Sequence, residues 1–132
     1  MNETISLEES FEHSLRNFMN WLEQAKKQPV ELCNTWGNYN VAWEIIADLT
    51  RDGTTIIAAP CSYLSEEQKR KVQTFLKSLA EIPEFLLDAA TSHSANVEAM
   101  SDASWIPIRA GASLLLTSLA PLAERNRKYF WA

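Results

Sequence analysis

Residues 36–44, Trp-Gly-Asn-Tyr-Asn-Val-Ala-Trp-Glu, set three aromatic rings beside amides and a carboxylate, the mixture that lines a small-ligand pocket. Asp48 follows Glu44 by four positions, so both carboxylates leave one side of a helix. Arg109 is the one charged residue between Asp102 and Glu124, and turned inward it needs a carboxylate, for which Glu44 or Asp48 would serve. His93 stands among Ser92, Ser94, Asn96 and Glu98, and imidazole is a side chain that serves as a base or ligand. Trp36, Tyr39, Trp43, Glu44, Asp48, His93 and Arg109 are therefore the candidate pocket residues. If they converge, Glu44, Asp48 and His93 could hold a metal in the core of a bundle and Arg109 could clamp an anion. The same residue types also serve as core aromatics, helix caps and a structural arginine–carboxylate pair. The paired Glu-x-x-His motifs of di-metal bundles are missing from the sequence. No catalytic residue, cofactor or metal ligand is assigned on this basis.

Composition narrows the chemistry further. Three glycines, at positions 37, 53 and 111, leave no phosphate cradle, no dinucleotide fingerprint and no glycine-flanked serine elbow. Two histidines exclude a three-histidine metal site, and the two histidines and two cysteines, each pair far apart in the sequence, exclude a zinc finger. Cys33 and Cys61 read as free thiols rather than a disulfide, because 132 residues can bury a core without one. The net charge of -5 opposes binding to a phosphate backbone. The longest uncharged run, residues 110–123, is shorter than the roughly 20 residues a spanning helix needs and contains Pro121. Nucleic acid and membrane are thus not expected partners, and the acidic N-terminal sequence has no apolar signal-peptide core. A cytoplasmic location follows as the expectation.

The elements that position these residues are helical. Ser6 with Glu9 reads as a capping box, and Leu7, Phe11, Leu15, Phe18 and Leu22 make one apolar stripe before Pro29. Glu9, Glu12, Arg16, Glu23 and Lys27 fall opposite it, as a solvated face. Residues 30–53 form a second helical region, broken at Gly37-Asn38, capped by Asn38 or Asn40 and ended by a left-handed Gly53. In it Tyr39, Trp43 and Ile46 share one apolar side. Residues 54–59 are a short helical or extended connection. Ser65 with Gln68 caps a third helix carrying Val72, Phe75, Leu76 and Leu79. Pro83 opens a fourth, with Phe85 and Leu86 on its apolar side, weakened through residues 91–94. A long last helix bears Trp105, Ile108, Ala112, Leu115 and Leu119 and is kinked or split at Pro121. The expected fold is all-α, one domain over residues 1–132, a bundle of about five helices.

With no catalytic motif, the leading expectation is a non-enzymatic domain that binds another protein. Eight acids against three bases in residues 1–50 suit a basic partner, with Glu8, Glu9, Glu12 and Glu23 of the first helix as the docking surface. Toxin-neutralising immunity proteins and antitoxins share this size and charge, an analogy of gross properties only. The alternative is a small-ligand or metal-binding bundle, hydrolytic in function, built on Glu44, Asp48, His93 and Arg109. Five tryptophans and the Tyr129-Phe130-Trp131 tail also offer aromatic surface for a homo-oligomer.

Overall fold

The computed structural model describes residues 6–36, 40–59, 63–88 and 92–131, all but the side chains of Thr35, Trp36, Phe130 and Trp131. Among the described residues all regular structure is helical, in seven α-helices and one 3-10 turn. Ser6 starts α1 (Leu7–Ala25) by accepting the Glu9 amide at 3.1 Å. Phe11, Leu15, Phe18 and Leu22 are buried as the stripe requires. Leu7 is not: it is 64% exposed, at the edge of a shallow pocket that it lines with Thr54, Thr55 and Ala58.

Helix α2 (Pro29–Trp36) begins at Pro29, whose missing N–H costs nothing in a first turn. Asn40 caps α3 (Val41–Ala58), accepting the Trp43 amide at 3.1 Å. This helix runs straight through residues 54–58, so the expected stop at Gly53 does not occur. Gly53 is buried within the helix, where a Cβ would lie 2.9 Å from Leu76 and 3.0 Å from Phe18. Its lack of a side chain serves the approach of α1 and α4 rather than a turn. Ile56 is buried, and that packing overrides the β preference of Thr-Thr-Ile-Ile.

The Ser65–Gln68 box opens α4 (Glu66–Ala80) with both reciprocal bonds, at 3.0 and 2.9 Å. The fourth expected helix is two: α5 (Glu84–Leu87), then α6 (His93–Met100) restarted by Ser92 as its own cap. Phe85 is 69% exposed, since a single turn can bury only one side and uses it for Leu86. The 3-10 turn Ala103–Trp105 leads into α7 (Ile106–Trp131). Pro121 lies inside α7 without splitting it. It has no N–H for the Thr117 carbonyl, but both residues are exposed, so water can take that acceptor.

Helices α1, α3, α4 and α7 close into a ring, each packed on the next, while α2, α5 and α6 form a smaller layer on the α3 side. One core fills the ring, with Phe18, Leu22, Ile45, Leu49 and Trp105 almost wholly excluded from water. Each such side chain contributes about 1.5–3 kcal/mol. Residues 103–129, the 3-10 turn with most of α7, are long and apolar enough to cross a membrane by length and composition, which the count of uncharged residues alone did not suggest. Here Ile108, Ala112, Leu115 and Leu119 of that segment are spent on the bundle core.

Candidate functional site

Three of the residues expected to share a pocket have other partners. Asp48 pairs with Arg51 on its own helix at 3.0 Å. His93 Nε2 lies 2.7 Å from Asn34 Oδ1, a contact that ties α6 to α2. Arg109 donates to the Met100 carbonyl at 3.1 Å rather than to Glu44 or Asp48, so it closes the end of α6 instead of pairing in the core. Among the described residues no group of three His, Cys, Asp or Glu side chains could hold a metal ion, which removes the Glu44–Asp48–His93 site. Trp43 is 53% exposed at the start of α3, not a core aromatic. Tyr39, Gly37, Asn38, Cys61 and the Trp36 side chain lie outside the described residues. The amides have structural employment: Asn96 accepts the Val41 amide at 3.1 Å, and Asn40 donates to the Leu87 carbonyl at 2.6 Å.

The acidic face of α1 is also smaller than the sequence suggests. Glu12 is fully buried, correcting its place among the solvated acids. Arg125 of α7 donates to its carboxylate, and Asn126 donates to both Oε2 at 2.8 Å and the Glu12 carbonyl at 2.7 Å. The Arg125 guanidinium also lies over Tyr63, 4.6 Å from the ring centroid, and Tyr63 packs on Phe11. Burial and then the nearby Glu9 and Glu8 push the Tyr129 hydroxyl above its ordinary pKa. Of the other acids, Glu8 and Glu9 sit in the first turn, whereas Glu23 is about 20 Å further along and pairs with Lys26 at 2.8 Å.

Cys33 is wholly buried, and desolvation raises its thiol above the ordinary value of 9.0. Its folded pKa exceeds the unfolded one, so this contribution to stability is intact below pH 9 and lost as pH rises beyond. In a Cys61→Ser background, Cys33 should react with an aromatic disulfide reagent only as fast as the protein opens. Labelling at the rate of a free thiol in native buffer would contradict that burial.

What the sequence missed lies between α4 and α7. Gln68 Nε2 donates to the Ser118 carbonyl at 3.3 Å, and Gly111 faces Phe75, so the two helices run antiparallel. A Cβ at Gly111 would lie 3.2 Å from the Phe75 ring, a close approach that glycine permits. Outward of this contact is an open cleft of about 650 Å³. Phe75 and Leu115 make its floor. Thr74, Ser78 and the charged Glu67, Arg70 and Lys71 line the α4 wall, with Pro107, Leu114, Thr117 and Ser118 on the α7 wall. Leu114 is 72% exposed at its lip. One signal for it was legible: Leu114 falls outside the core stripe of α7, so the uncharged run gives that helix a second apolar side.

Fold and site together define an all-α bundle with an open, mainly apolar cleft between two antiparallel helices. No family model, no curated protein and no solved structure matches the chain.

Proposed function

We propose that this chain works by binding another protein, docked in the cleft between α4 and α7. The observation that carries the reading is Leu114, 72% exposed at the lip of an apolar cleft. Covering one such side chain is worth about 1.5–3 kcal/mol, and an apolar patch rimmed by polar groups is a usual mark of an interaction surface. The first helix supports the reading less well, because Glu12 is internal and the remaining acids are spread along its length.

A photo-cross-linking residue at position 114, compared with one at position 23 on α1, tests this in the cell of origin. Position 114 should give one discrete protein adduct, lost when Ser118→Trp fills the cleft; position 23 should give none. Adducts from position 23 alone would return docking to the acidic helix. Equal, diffuse labelling from both would end the proposal.

A further inference from the structure

Building on that docking reading, we infer that the occupant of the α4–α7 cleft is an acidic amphipathic helix of about three turns, its apolar side on Phe75 and Leu114 and its carboxylates toward Arg70. The length follows from the wall: Glu67 to Ser78 spans about 16 Å of α4.

The cleft selects a helix over an extended peptide through its hydrogen bonds. Both walls are helices whose backbone groups, apart from the Thr117 carbonyl opposite Pro121, are paired internally, so no strand edge is offered for an extended chain to join. Two of the wall hydroxyls are committed as well. Ser78 donates to the Thr74 carbonyl at 3.1 Å and Thr117 to the Ser113 carbonyl at 3.3 Å. A helix brings its own backbone bonds and needs none from the cleft.

Charge selects the sign. Lys71 is held by Glu67 at 3.3 Å, which cancels both. Arg70 is exposed, beside them, and without an ion-pair partner among the described residues. The α7 wall contributes no charged side chain, so the rim is net positive on a chain of net charge -5. A carboxylate on the occupant meets the one free cation of that rim. In a two-fold pairing of two copies over this cleft, two net-positive rims would come together, which disfavours self-association.

Fluorescence anisotropy with designed peptides tests the inference on the full chain. The probes are fluorescein-labelled helices of about 15 residues with leucines at helical spacing, one carrying glutamates on the opposite side and one lysines. The acidic peptide should bind at least about tenfold more tightly, and the preference should shrink as salt rises from about 50 to about 500 mM. Arg70→Glu should reverse the preference, while Ser118→Trp and Leu114→Glu should abolish binding of both. Thermal melting of each variant confirms folding. Equal binding of the two peptides, no binding of the acidic one at about 1 mM, or displacement by dodecanoate but not by peptide would overturn the inference. So would a dimer in sedimentation that Leu114→Glu dissolves, since the occupant would then be a second copy. A discrete adduct of a different protein at position 114 together with any of these results leaves the docking reading standing and removes only the acidic helix.

Discussion

Arg125→Met should cost about 3 kcal/mol of stability and lower the melting temperature by about 10 °C. The guanidinium itself is part-exposed, its side chain 39% accessible, but the carboxylate it meets is completely enclosed. Removing Arg125 leaves Glu12 with Asn126 as its remaining side-chain partner among the described residues, in surroundings that cannot solvate a charge. Stacking of the guanidinium over Tyr63 adds about 0.5–1 kcal/mol to the loss. Removing both charges should be far milder. Glu12→Leu combined with Arg125→Met replaces the pair by apolar side chains, and Asn126 keeps the Glu12-position carbonyl as an acceptor. That double variant should melt within about 1 kcal/mol of the parent. Chemical denaturation of the parent, Glu12→Leu, Arg125→Met and the double variant gives the coupling between the two sites directly. A double variant as unstable as Arg125→Met alone would show that the cost comes from lost packing rather than from a stranded charge. The clasp bears on the cleft too, because it fixes to α1 the helix that supplies one wall.

Local chemistry was legible in this sequence and partner-dependent chemistry was not. Ser65 with Gln68 and the stripe from Phe11 to Leu22 each depend on neighbours within a few positions and form as read, and of the two caps open at Asn38 and Asn40 it is Asn40 that starts α3. Glu12 defeats such reading because its partners are 113 and 114 positions away. On the helix wheel it borders Phe11 and Leu15, and only the arrival of α7 turns that border into interior. Gly53 misleads for a related reason. A glycine near the end of an apolar pattern reads as a stop, yet here Phe18 and Leu76 crowd a position where α3 continues. Glu44, Asp48, His93 and Arg109 had the right types for a site, but each is placed by its own helix and three of them are engaged by other partners, Arg51, Asn34 and the Met100 carbonyl. The cleft needed the spacing of two helices, which no single stripe encodes.

Trp105→Ala should be the most damaging single truncation, at about 3–5 kcal/mol. Trp105 is completely buried where the 3-10 turn hands over to α7. Its backbone is well held: Asp102 accepts the Ser104 amide at 2.9 Å, a bond that lowers the Asp102 pKa, and the Trp105 amide donates to the Asp102 carbonyl at 3.1 Å. Its side chain is held by volume alone, for the indole Nε1 and the adjacent Ser104 Oγ have no hydrogen-bond partner among the described residues. Two terms therefore oppose each other in Trp105→Phe. Losing the second ring opens a small void, while removing an unpaired buried donor relieves a desolvation cost of about 1–3 kcal/mol. The net change should be about 1 kcal/mol, against the several of the alanine variant. Were phenylalanine as harmful as alanine, the indole N–H would have to be making a bond that matters. Because Pro107 of the cleft begins only two residues later, the alanine variant should also weaken binding of the acidic peptide, and the phenylalanine variant should leave it unchanged.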